Sequence, residues 1–151
     1  MKKLVIQSNK GALEEVENYL SVLCDEKHIY DYYGTILMPV LQAVENAIEH
    51  GNGSDPKKQV IIEAQDCMGG ILLSVEDQGN GFDYTQYGDF PAEDGKGEGI
   101  FLMKTLSDQL SFSKEGRRVE MKFLIKGIDA SKSMERSFVL QHFFNKTLIE
   151  A

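Results

Sequence analysis

Residues 59–81, QVIIEAQDCMGGILLSVEDQGNG, constrain the fold more than any other stretch. Two runs of apolar and β-branched residues flank Met68-Gly69-Gly70, the pattern of two strands joined as a hairpin. The second run leaves the sheet through an acid, Asp77, followed by two glycines, Gly79 and Gly81. A carboxylate at the end of a buried strand is unfavourable unless a donor reaches it. Glycines just beyond it let the backbone pass close to a flat group and take up φ > 0. The same glycines also suit an ordinary loop turn, so this stretch alone leaves both readings open.

The flanking segments supply the rest of a two-layer domain. KKLVIQS reads as a short strand, and Asn9 is placed to cap a helix over residues 10–24, with Leu13, Val16, Leu20 and Leu23 on one face. ILMPVLQAVENAIEHG is a second helical segment, in which Pro39 marks either the start or a kink, and Gly51 and Gly53 stop it. Residues 83–98 form a long polar loop, a length that is usually functional. GIFLMKTL is a short apolar helix, and QLSFS and RRVEMKFLIKG form a second hairpin turning at Lys114-Glu115-Gly116. Helices and strands without strict alternation predict an α+β two-layer sandwich.

With 151 residues the chain suffices for one domain with a core. No stretch approaches the roughly 20 apolar residues of a membrane span. MKKLVIQSNKG turns polar too early for a signal peptide. Cys24 and Cys67 read as reduced thiols of a cytoplasmic protein. The net charge of −8 argues against binding a nucleic-acid backbone, though not against a nucleotide held in a pocket.

Several phosphate and metal motifs are excluded. A P-loop fails because Gly95-Lys96 is followed by Gly97, with Phe90 at the first glycine position. A dinucleotide fingerprint starting at Gly97 and Gly99 meets Leu102 where its third glycine belongs. An EF-hand starting at Asp77 meets Gly79, Gly81 and Phe82 at positions that need other residues. The three histidines and two cysteines show no zinc spacing.

Two further stretches carry chemistry. On a wheel of about 100° per residue the second helix places Ile36, Leu37, Val40, Leu41, Val44, Ala47 and Ile48 on one side. Gln42, Asn46 and His50 form a polar ridge on the other, either a solvated face or the wall of a site. An asparagine carbonyl is a hard oxygen suited to Mg²⁺ that also bridges phosphates. GKGEGIFLMKTLSD, residues 95–108, sets glycines at 95, 97 and 99 directly before an apolar helix. Exposed amides at such a helix start form an anion cradle, to which Lys96 adds charge. The alternative is a plain linker ending at a helix.

In this order the three stretches resemble the GHKL ATPase superfamily, which has the Bergerat nucleotide-binding fold. QAVENAIEHGN is similar to its N box, VEDQGNGF to its first glycine box and GKGEGIFLMKTLSD to its second. Within the superfamily the chain resembles the RsbW-type anti-sigma-factor serine/threonine kinases, over roughly residues 1–126. The resemblance implies a mixed, mostly antiparallel sheet with about three helices on one face. It implies that ATP or ADP and Mg²⁺ are the cofactors, with Asn46 on the metal and Asp77 accepting from the adenine amine. Gly79, Gly81 and Phe82 would shape the adenine pocket, and residues 83–98 would form a lid. Lys96, Gly97, Gly99 and Ile100 would face the phosphates, and His50 would join the binding set.

One position departs from the family. Its serine kinases usually carry a glutamate base four residues before the metal asparagine, where this chain has Gln42. An amide cannot take a proton from a serine hydroxyl. Glu45 and Glu49 lie nearby, and Glu45 is the alternative candidate base. Phosphoryl transfer rests mostly on positioning and charge neutralisation, so a missing base slows it by about 10² to 10⁴ rather than ending it.

The resemblance implies protein partners, a sigma factor and a small antagonist protein, with no direct nucleic-acid or membrane contact; a homodimer is left open. The alternative is a nucleotide-gated binding module without catalysis. Residues 127–151 extend beyond the matched region. As a helix they place Met134, Phe138, Val139, Phe143, Thr147 and Leu148 on one face, packed on the domain or at a partner interface, although SFVLQHFF also suits a strand.

Overall fold

The computed structural model describes residues 2–86, 97–125 and 135–144. Five strands form one sheet: β1 (Lys2–Gln7), β2 (Gln59–Cys67), β3 (Gly70–Glu76), β4 (Gln109–Ser113) and β5 (Arg118–Leu124), in the order β1-β2-β3-β5-β4. Each neighbouring pair is antiparallel. Three helices, α1 (Leu13–Glu26), α2 (Tyr33–Asn46) and α3 (Glu98–Leu106), cover one face, and residues 135–144 form a fourth, α4. The chain is thus an α+β sandwich, as its patterning predicts.

Alternation within the strands decides which face the helices take. Val60, Ile62 and Ala64 of β2, Ile71, Leu73 and Val75 of β3, and Val119, Met121 and Phe123 of β5 are all buried. They pack with Val16, Leu20 and Leu23 of α1 and Ile36, Val40 and Val44 of α2 in one core. The intervening positions, among them Glu63, Glu76, Glu120 and Lys122, are only partly buried, the pattern of an antiparallel sheet with one wet face. The β2–β3 hairpin turns at Met68 and Gly69, the latter at φ 78°, with Cys67 opposite Gly70.

Element limits differ from the sequence reading where tertiary contacts override local signals. Asn9 does cap the first helical segment, its Oδ1 accepting from Ala12 N at 3.1 Å, but the first turn is 3₁₀ and α1 begins at Leu13. α2 begins at Tyr33 and runs through the buried Pro39. Pro39 cannot donate to the preceding turn, yet burial of its ring and of its neighbours Ile36 and Val40 outweighs that loss. The end of α2 widens into a π turn over Ala47–Gly51, in which Asn52 N donates to Ala47 O at 2.8 Å. Residues 84–86 of the predicted long loop form a 3₁₀ turn, and positions 87–96 lie outside the described residues.

α4 settles the strand-or-helix ambiguity of SFVLQHFF in favour of a helix over residues 135–144. Its inward face is Arg136, Val139, Leu140 and Phe143; Phe138 is 73% and Phe144 60% exposed. Of the predicted face, Val139 and Phe143 turn inward and Phe138 is exposed, while Met134, Thr147 and Leu148 lie outside the described residues. Arg136 Nη2 pairs with Asp108 Oδ1 at 2.6 Å, with side chains 8% and 4% exposed. Asp108 Oδ2 also accepts from Leu124 N, and the Phe101 and Phe143 rings lie 6.3 Å apart. We expect Arg136→Ala to lower unfolding free energy by about 3 kcal/mol, because it withdraws the cation from a buried carboxylate. Lys2→Ala, which breaks the exposed pair with Glu26, should change it by less than about 1 kcal/mol. Denaturant titration of both variants checks the contrast.

Candidate functional site

Asp77 follows the last residue of the central strand β3. Its N–H donates to Arg117 O at 2.9 Å, which extends the β3–β5 ladder by one step and anchors the acid at the sheet end. Its residue exposure is 9%. Oδ1 accepts from Gly79 N at 2.8 Å. Burial raises its pKa above the ordinary aspartate value, opposed by the Gly79 N–H and the nearby Arg117 charge. The carboxylate is therefore held in place, partly desolvated and poised to accept.

The end of α2 interlocks with the turn that carries this acid. A methyl on Gly51 would overlap the Asp77 carboxylate, lying 2.8 Å from Oδ1 and closer still to Cγ and Oδ2. A methyl on Gly79 would overlap the Gly51 carbonyl oxygen. Two backbones thus touch where any side chain would force them apart. Gly79 does not line the cavity; it allows the acid to be seated there.

At the opposite side, α3 starts from Gly97, whose φ of 80° is readily reached only by glycine. Among the described residues no side chain caps this helix start. A Cβ at Gly99 would lie 3.1 Å from Gln42 Oε1 and 3.4 Å from Asn46 Nδ2. The glycine therefore lets the amide end of α3 approach α2 beside Asn46.

Between these parts lies a cavity of about 300 Å³. It brings together Asn46, His50, Asp77, Gly81, Phe82, Gly97, Gly99 and Ile100 of the predicted set. Gln42 and Glu45 do not line it. Gln42 packs against Gly99, whereas Glu45 is half-buried beside Glu49 and Lys10, its pKa raised by burial and then by Glu49. Lys96 lies outside the described residues. Sequence patterning missed Gly51, Phe112, Gly116 and Arg117, which also line the cavity. Val75, Met103 and Val119 complete an apolar wall. Phe112 stacks on Tyr84, centroids 4.7 Å apart, and meets Phe82 edge-on at 5.6 Å. Only pairing with β5 brings β4, and hence Phe112, to this place.

A cavity with an apolar wall, a buried carboxylate on one side and helix-start amides on the other fits a purine linked to phosphates. Residues 10–123 match the family model described as the histidine kinase-like ATPase domain. This chain belongs to that family. As a histidine kinase-like ATPase domain it binds nucleotide, and the cavity contains the residues suited to that task. The anti-sigma F factors of three Clostridium perfringens strains are 37% identical to it over 92 residues, covering 55% of this chain and 66% of theirs. The match thus spans just under two thirds of the relatives' length. Among the described residues no helix is long and apolar enough to cross a membrane.

The raised pKa of Asp77 predicts a pH effect. The folded state holds this proton more tightly than the unfolded state, so stability falls as pH rises from the ordinary aspartate pKa to the raised one. Asp77→Asn removes that dependence while keeping an oxygen for Gly79 N–H. The ligand-free variant should melt higher than wild type at neutral pH, by a margin that grows through this window and then levels. Melting temperatures measured across pH check the sign.

Proposed function

We propose that this chain is an ATP·Mg²⁺-dependent regulator of a sigma factor that phosphorylates a serine or threonine on a small antagonist protein. The observation that carries the proposal is the convergence of Asn46, Asp77 and the Gly97–Gly99 helix start on one cavity. The likeness to anti-sigma F factors supplies the partner class. In this reading Asp77 accepts from the adenine amine while Val75, Met103 and Phe112 exclude water from the ring. The first amides of α3 hold phosphate oxygens. Among the described residues no group of three or more His, Cys, Asp or Glu gathers to bind an ion. Asn46 would be the residue to hold a divalent cation alongside the bound nucleotide, and such a cation would supply charge neutralisation on the transferred group. Residues 127–151 belong to this reading as a C-terminal extension of a nucleotide-binding unit over 1–126, and a cytoplasmic setting follows from it.

Gln42 favours a second reading, a nucleotide-gated binding module without phosphoryl transfer. It occupies the position of the family's base, packs against Gly99, and cannot accept the hydroxyl proton. Glu45 lies off the cavity and is a poor replacement.

Calorimetric titration with ADP and Mg²⁺ should show binding to the wild type and a loss of roughly 10- to 100-fold for Asp77→Asn. Equal affinities would remove the role of Asp77 in recognising the base, and a wild type that binds no ADP would remove the nucleotide reading. Labelled ATP, incubated with the protein and candidate antagonists, then separates the two readings. Transfer by the wild type supports the kinase, whereas transfer only after Gln42→Glu supports the module.

A further inference from the structure

We infer that Asn52 is a positioning residue for the nucleobase end of the pocket, acting through the Asp77–Gly79 turn; this rests on the nucleotide reading above. Asn52 does not line the cavity and is only 3% exposed. Its side chain joins three parts of the chain. Nδ2 donates to Ser8 Oγ at 2.8 Å, just beyond β1, and to Gln59 O at 3.0 Å, at the start of β2. Oδ1 accepts from Gln78 N at 2.8 Å, directly after Asp77. The partners fix the amide orientation, since the reverse would set an oxygen against the Gln59 carbonyl. Both donors and the acceptor are therefore engaged in a buried network, where each bond constrains geometry strongly.

The two halves of this amide act differently. The Nδ2 half fastens the end of the π turn to the sheet margin, where Ser8 Oγ also donates to Lys58 O at 2.6 Å. The Oδ1 half holds the Gln78 N–H and so fixes the turn whose next amide, Gly79 N–H, orients Asp77 Oδ1. Because the Gly51 and Gly79 backbones touch, a shift of this turn moves the acid relative to the end of α2, which carries Asn46. Asn52 thus sets the spacing between the base-recognising and phosphate-facing parts of one ligand site. Hydrogen-bond reach tolerates only a few tenths of an ångström, so losing this restraint weakens recognition of the base without touching the phosphate cradle.

Asn52→Ala removes both halves, while Ser8→Ala removes one partner of the Nδ2 half and leaves Oδ1 on Gln78. Displacement of a fluorescent ADP analogue by adenosine, and separately by magnesium tripolyphosphate, measures the two ends of the pocket. For Asn52→Ala, adenosine affinity should fall roughly ten-fold or more, with tripolyphosphate within about two-fold of wild type. Ser8→Ala should lower the melting temperature yet leave adenosine affinity within about two-fold. Asn52→Ser, too short to reach Gln78, replaces the alanine variant if that does not fold, with the same expectation. Unchanged adenosine affinity, an equal loss for both probes, or an equal loss in the Ser8 variant overturns the inference while leaving the nucleotide reading intact. A wild type that binds neither ADP nor adenosine overturns that reading and the inference together.

Discussion

The site depends on one close approach, the backbone contact between Gly51 and Gly79 that seats Asp77 against the end of α2. The acid is at the end of the central strand, held by Arg117 O on one side and Gly79 N–H on the other. Nothing larger than hydrogen fits at either glycine. Burial of the carboxylate opposes stability, and the surrounding core sustains it: β3 is flanked by β2 and β5, and its core-facing Ile71, Leu73 and Val75 are at most 2% exposed.

From that contact the geometry of the cavity follows. α2 runs with its apolar face in the core and its last turns beside Asp77, so Asn46 and His50 face the cavity. The π turn lets the helix end at Gly51 and hand over directly to Asn52. α3 comes from the other side, where the glycine at 99 permits contact with Gln42 and Asn46. Oriented amides at a helix start give a local positive field that is independent of the chain's net charge.

Gln42 and Asn52 show how two amides of one helical region take different parts. Gln42 supports the approach of α3 and offers no base. Asn52 lies behind the acid and joins the ends of β1, β2 and β3. Neither needs a charge, and in a buried network an uncharged amide supplies donors and an acceptor without the desolvation penalty of an ion.

The sequence by itself determined the sheet hairpins, the helical segments, the α+β class and about half of the cavity-lining set, because period-two and period-3.6 patterning and glycine runs are local signals. Of the residues it singled out, Asn46, Asp77, Gly81, Gly97 and Gly99 line one cavity, and Lys96 lies outside the described residues. Tertiary structure alone decided that α2 begins at Tyr33 and runs through Pro39, since burial there outweighs a lost hydrogen bond. It alone decided that Gly51 meets Asp77, that Asn52 reaches Gln78 across 26 positions, and that Phe112 and Arg117 complete the cavity wall. These are contacts between elements distant along the chain, set by strand order and helix docking, and no local periodicity encodes them.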